Sequence, residues 1–403
     1  MVVVIIGGGA SGFFSAITCA ANNKKAKVII LEKTDKLLAK VRVSGGGRCN
    51  VTNACRDMNE FVTNYPRGRD LLTQAFKKFN NKDVIDFFKK RNVSLKAEAD
   101  GRMFPTSDNS QTIIDCLIQE SQKLNIEIRT KFNVQSITKD ADLFTISSLV
   151  DNTITANKVI VATGGYPQLH QYDWLKSLGL NITKPVPSLF TFNIPASPLK
   201  TLMGVANAAE VSIKNTNYTY KGPLLITHWG VSGPAVLKLS AFAARELEEK
   251  KYQFDIRINW VADQGNITEV HLKELRESNG KKLVRNVVPF NLPKRLWELF
   301  CTQAEVREFE NWAELGNKKL QLLFSFIKSY PLSASGKTMF KEEFVTCGGI
   351  ELNNIHEDTL ESLKIKGLYF AGESLNIDGI TGGFNFQAAW TTGYIAGLSA
   401  SSN

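Results

Sequence analysis

The strongest chemical signal lies in glycines. Gly7, Gly9 and Gly12 stand in G-x-G-x-x-G register, with Gly8, Ala10 and Ser11 between them. Glycine lets a backbone turn tightly and approach a ligand that a Cβ would block. A small-residue helical window runs from Ala10 to Ala21, so its N-terminus would aim free N–H groups and a positive dipole end at the turn. That is a site for a pyrophosphate. About twenty residues on, Glu32 ends the run Val28-Ile29-Ile30-Leu31, with Lys33 beside it, where a carboxylate can accept from both ribose hydroxyls. It also disfavours a 2′-phosphate by like-charge repulsion, so the spacing predicts the adenosine half of FAD or NAD.

A second group follows Lys40. Ser44-Gly45-Gly46-Gly47-Arg48-Cys49-Asn50-Val51-Thr52-Asn53 forms a loop dense in N–H groups and side-chain donors, suited to a flat or anionic ligand. Cys49 beside Arg48 is either a low-pKa thiol or a side chain packed on the ligand. No C-x-x-C spacing supplies a resolving partner, which speaks against disulfide-reductase chemistry. Near the other end of the chain, Gly372-Glu373 closes an apolar run, and Gly382-Gly383-Phe384-Asn385-Phe386 opens a small-residue helix. Glu373 can bind ribityl hydroxyls. The helix N–H groups can face the N1 and O2 edge of a flavin, where negative charge accumulates on reduction.

His228, in Thr227-His228-Trp229-Gly230, is the candidate catalytic side chain, as acid, base or electrostatic anchor. The competing reading is a histidine hydrogen-bonded to hold its turn. Gly336-Lys337-Thr338 imitates the end of a phosphate-binding loop, but Pro331 occupies the leading glycine position and no apolar strand precedes it.

The elements that position these residues are legible in the same pattern. Val2-Val3-Val4-Ile5-Ile6 is an unbroken apolar run, as in a strand buried on both faces. Lys158 to Val161, leading into Ala162-Thr163-Gly164-Gly165, reads as a second such strand ending near the first glycine turn. Two amphipathic helices are expected between Asp70 and Asn92, separated at Asn80-Asn81, and another from Ser110 to Leu124. Short strands follow at 126–129, 133–137, 143–147 and 157–161. From Leu189 to Val261 the reading is β, from Thr268 to Tyr330 helical, and the last helix runs to Leu398.

With 403 residues and 43% hydrophobic content, the chain can bury a large core in two or three units. It has no apolar run long enough to span a bilayer and no leader-like N-terminus, which predicts a cytoplasmic protein without membrane contact. Six scattered cysteines and four histidines signal neither a disulfide framework nor a metal site. The net charge of +10 reads as dispersed, and no RNA-recognition, zinc-finger or helix-turn-helix signature supports a nucleic-acid partner.

Gly7 to Gly12 with Glu32, Ala162-Thr163-Gly164 and Gly372-Glu373 together resemble the two-dinucleotide-binding-motif flavoproteins. Within that class, Ser44 to Asn53, His228-Trp229-Gly230-Val231-Ser232-Gly233-Pro234 and Gly372 to Gln387 resemble the BaiN and aminoacetone oxidase-like family of NAD(P)/FAD-dependent oxidoreductases. The resemblance covers essentially the whole chain. It implies an α/β fold with a Rossmann-like FAD-binding domain split between the chain ends, at residues 1–187 and 336–403. Between these it implies an inserted β-barrel-like unit, 188–265, and a small helical unit, 266–335. It places Val134 where backbone groups contact the adenine, and notes Asn376 where relatives usually carry an acid. FAD is the implied cofactor. The expected function is hydride transfer between flavin N5 and a small organic substrate, with NADH, NADPH or dioxygen as redox partner. The alternatives are an RNA-associated flavoprotein and a non-enzymatic flavin-binding scaffold.

Overall fold

Val2–Ile6 sits at the centre of a five-stranded parallel sheet, between Lys158–Val161 and Lys27–Leu31. Leu368–Phe370 and Glu127–Arg129 complete its edges. Val3, Val4 and Ile5 are fully buried, as an uninterrupted β-branched run requires when helices cover both faces. The computed structural model describes residues 1–149, 152–338 and 345–402. Residues 339–344, at the start of the expected C-terminal FAD-domain segment, lie outside them.

The chain divides into two compact units, Met1–Ser188 with Phe340–Asn403, and Leu189–Met339. The first unit is built from both chain ends. Its helix Ala10–Asn22 packs against the terminal helix Phe384–Ser401 through small residues. A Cβ on Gly393 would stand 2.7 Å from the Ser11 carbonyl oxygen, and one on Gly397 2.3 Å from that of Ser15. Helices Arg69–Lys78 and Asn81–Lys89 flank Asn80, whose side chain and Asp83 form a reciprocal cap. Helix Gln111–Lys123 follows. An antiparallel meander, Val134–Asp140, Leu143–Ser148 and Thr153–Ala156, stands beside the main sheet in sequence. Ile182–Ser188 pairs antiparallel with Val345–Ile350.

In the second unit seven strands run in the order 330–335, 253–259, 206–213, 219–226, 230–232, 191–193 and 337–338. Gly336 separates the two edge strands in sequence. Its N–H donates to the Tyr252 carbonyl and its carbonyl accepts from the Asn193 N–H, which curls the sheet toward closure. Helices Glu269–Ser278, Lys294–Gln303 and Asn317–Ser329 share one apolar core with this sheet, around Trp260, Trp297, Phe300 and Trp312. The sheet of 188–265 and the helices of 266–335 are thus joined by their side chains. One local expectation fails: helices Pro234–Phe242 and Ala244–Glu249 interrupt the stretch read as β. Pro234 takes the first helical position, where its missing N–H costs nothing. Among the described residues no helix is long and apolar enough to cross a membrane.

Candidate functional site

The glycines of the first turn do different jobs. A Cβ on Gly12 would lie 1.9 Å from the Gly7 carbonyl oxygen, and one on Gly7, at φ +120°, 2.3 Å from that of Ala162. These two positions are closed by protein. Gly9 is the opposite case: it caps the helix in extended backbone, at φ −94°, and a Cβ there would meet nothing within 4 Å. No side chain caps the helix N-terminus, so its first N–H groups keep their hydrogen-bonding capacity for a ligand beside Gly9. Ser11 is buried, and its hydroxyl lies 2.5 Å from where a Gly372 Cβ would be. The N-terminal and C-terminal motifs therefore meet directly.

Glu32 is already oriented. Its Oε2 accepts from the Gly8 N–H at 2.9 Å, and its Oε1 from the N–H and hydroxyl of Thr34, both at 2.9 Å. Of roughly four acceptor directions on a carboxylate, about one is left for a ribose hydroxyl. Lys33 is exposed, with its ammonium 5.6 Å from the Tyr166 ring centroid. The Glu32 carbonyl accepts from the Phe132 N–H, which brings the start of the Val134–Asp140 strand to the same corner. Val134 is buried there, where the ladder shifts register between it and Ser136.

The Ser44–Asn53 segment breaks the helical path of Ala39–Gly47. Ser44 turns extended, and Gly45, Gly46 and Gly47 follow at φ +58°, +68° and +84°, a conformation that L side chains rarely adopt. A Cβ on Gly46 or Gly47 would meet nothing within 4 Å. The Arg48 guanidinium is engaged by protein: it donates to Glu98 at 2.7 Å and stands 3.9 Å from the Phe104 ring centroid. Cys49 is fully buried, and burial pushes its thiol up to about 12. That removes the low-pKa option, since the nearby Arg48 charge is spent on Glu98 while desolvation penalises a thiolate.

This loop is stitched to the C-terminal glycines. With its amide oriented to satisfy both groups, Asn50 donates to the Thr52 carbonyl and accepts from the Gly383 N–H. Asn53 donates to the Gly382 carbonyl at 3.1 Å, Thr52 to the Gln387 side chain at 2.6 Å, and the Trp390 indole to the Val51 carbonyl at 2.9 Å. Asn385 closes the preceding loop by donating to and accepting from the Gly379 backbone. Phe384 is buried against Phe61 and Tyr65, while Phe386 stacks on Trp390.

Glu373 and Lys40, both expected at the ligand, are partners of each other at 2.6 Å. The second Glu373 oxygen accepts from the Thr346 N–H at 2.7 Å. Gly164, after Thr163, comes within 4.0 Å of the same carboxylate when a Cβ is placed on it. Thr346 Oγ1 and Asn376 Oδ1 are buried polar atoms with no hydrogen-bond partner among the described residues.

Sequence reading missed one cluster. Asp378 is fully buried and takes both nitrogens of an Arg67 fork, with the Ser188 hydroxyl donating to it at 2.9 Å. Burial raises its carboxyl above the ordinary range, although Arg67 pulls the other way. Asp378 lay in the glycine-rich tail, but nothing in the spacing of Arg67 pointed to it.

His228 belongs to the second unit, on an exposed turn. Its ring lies 4.6 Å from that of Trp229 and makes no hydrogen bond to another described residue. The turn is held by Thr227 instead, whose hydroxyl oxygen accepts from the N–H groups of Trp229 and Gly230.

The first unit fits a dinucleotide flavin: open backbone at Gly9 and at Gly46 and Gly47, an uncapped helix N-terminus, and two carboxylates held in place. The chain is 30% identical over 377 residues to the ribosomal RNA dihydrouridine synthase of Escherichia coli strain K12, covering 91% of this chain and 90% of that protein. It is 28% identical over 389 residues to the 3-dehydro-bile acid delta(4,6)-reductase of Clostridium scindens, covering 93% of each. Among solved structures, 3-ketosteroid-delta4-(5alpha)-dehydrogenase from Rhodococcus jostii RHA1 shares the fold. Its TM-score is 0.54 at 13% identity, over 100% of this chain and 96% of that one. Residues 1–399 match the HI0933-like protein Rossmann domain, and the chain belongs to that family of FAD-dependent oxidoreductases.

Proposed function

We propose that this oxidoreductase reduces a carbon–carbon double bond conjugated to a carbonyl, with uracil in RNA as the favoured acceptor and NADH or NADPH as the electron source. One observation carries the reading. The two relatives are named for forming dihydrouridine and for reducing a dehydro bile acid, different molecules that share a carbon–carbon double bond as the group reduced. The net charge of +10 favours a polyanion over a small neutral enone. FAD, when bound, supplies hydride chemistry, so that one NAD(P)H is oxidised while a hydride and a proton add across the double bond.

In this reading the chain's own residues bind and orient. The helix N-terminus at Gly9 takes the pyrophosphate, Glu32 a ribose hydroxyl, and the Glu373–Lys40 pair lies toward the ribityl chain. The N–H groups at Gly45 to Gly47 and at the start of the terminal helix supply donors. His228 is the proposed proton-handling group, because an imidazole can both give and take a proton and this ring makes no hydrogen bond to another described residue.

The test is anaerobic. FAD-loaded protein is mixed with NADH or NADPH and its flavin absorbance followed, and then uridine-containing RNA or a steroid enone is added. Bleaching by a pyridine nucleotide and return of colour with a double-bond acceptor are expected. Bleaching by amines alone, or return of colour with dioxygen alone, would overturn the reading.

A further inference from the structure

A protein surface normally interrupts its large apolar side chains with charge. One end of the seven-stranded sheet does not. Trp229 is 46% exposed, Met203 58% and Leu225 38%. The Ile226 carbonyl, next to Leu225, accepts from the Gly204 N–H, next to Met203, and Trp229 stands in the turn that follows Ile226, its carbonyl accepting from the Ile194 N–H. The tip is rigid. Thr227 ties the turn, and Gly230 approaches the neighbouring strand so closely that a Cβ would lie 2.3 Å from the Phe192 carbonyl oxygen. Trp229, with the His228 ring beside it, is thus presented on a fixed scaffold.

Two cations lie on the turn at this tip. Lys214 and Lys221 of the same unit are spent on Asp255 and Asp263. Lys200 donates to the Pro195 carbonyl at 2.9 Å, and Arg295 to that of Thr201 at 2.8 Å, on the turn that leads to Met203. Neither cation faces a carboxylate among the described residues. Exposed rings offer π-faces on which any base can stack, and flanking cations take phosphates.

We infer that this tip is a docking surface for single-stranded RNA, with Trp229 as the stacking platform and Lys200 and Arg295 as phosphate contacts. The inference rests on RNA being the substrate, and adds where the strand is held.

The test uses the FAD-loaded full-length chain and a fluorescein-labelled, uridine-rich RNA of ~12 nucleotides, a length within the span of such sites. Binding is read by anisotropy across a salt series. Trp229→Ala should weaken binding roughly fivefold to a hundredfold, the range for loss of one stacked base, and Trp229→Phe should retain most of the affinity. The double variant Lys200→Glu, Arg295→Glu should reduce the slope of log affinity against log salt by about two. Flavin bleaching by NAD(P)H should be unchanged in that double variant. Tight binding by wild type with no loss in any variant places the strand elsewhere and overturns the surface while the RNA reading stands. Absence of RNA binding, with colour returned to the flavin by a steroid enone, overturns both. Binding to anionic phospholipid vesicles in place of RNA also overturns the surface.

Discussion

At the scale of single residues, the first turn separates glycines that the protein needs from glycines that a ligand needs. Gly9→Val should leave the protein folded, because its Cβ enters open space at an ordinary φ, and should abolish flavin retention. Gly12→Val should instead damage folding, since its Cβ would overlap the Gly7 carbonyl. Flavin content alongside a thermal melt distinguishes the two, and a yellow Gly9→Val protein would refute the placement. Glu32→Ala should raise the FAD dissociation constant by a factor corresponding to about 1.5–3 kcal/mol, one hydrogen bond to a charged group. Isothermal titration of FAD into apoprotein checks it. Arg67→Met leaves the Asp378 carboxylate buried without its counter-charge, which costs about 3–5 kcal/mol near neutral pH. The sign with pH follows from the raised carboxyl. Between the unfolded and folded titrations the native state holds more protons, so stability falls as pH rises through that window. Removing Arg67 extends the window upward. Urea midpoints of this variant should therefore fall further below wild type at about pH 8 than at about pH 5.

At the scale of elements, the two chain ends meet as helices whose contact depends on small residues rather than large apolar ones. Gly397→Val would press a branched side chain onto the Ser15 carbonyl, and overpacking of this kind costs about 1–3 kcal/mol. A melting temperature equal to wild type would show that the helices can separate without loss. The strands and most helices were legible because their periods are carried by side-chain type: Val2–Ile6 by an unbroken apolar run, Asn81–Lys89 by its cap and stripe. Helix Pro234–Phe242 was hidden because its apolar, small-residue composition carries little polar face to set a helical period, and the charged Ala244–Glu249 because six residues are too few to show one.

At the scale of the molecule, the two segments of the first unit are joined by strand pairing next to the point where the chain departs from it. Ser188 and Val345 are cross-strand partners in the antiparallel pair. Replacing residues 189–344 with an Asn-Gly turn, which suits a two-residue hairpin, should leave a chain that folds and binds flavin. Flavin absorbance and a cooperative melt of the purified product check this, and a colourless or molten product would show that the first unit depends on the second. The sequence alone determined the dinucleotide turn, the strand that feeds it and the carboxylate at Glu32, because local spacing sets all three. It also carried the glycine clusters at both ends of the chain. Only the tertiary structure decided which donors are still free. Arg48 is engaged by Glu98, Lys40 by Glu373, and Cys49 is sealed from solvent. The Arg67–Asp378 pair joins residues far apart in the chain, and Gly204, after Met203, is tied to Ile226 at the strand end that leads to Trp229. Long-range contacts of this kind are set by how elements pack, and no local pattern of residue types records them.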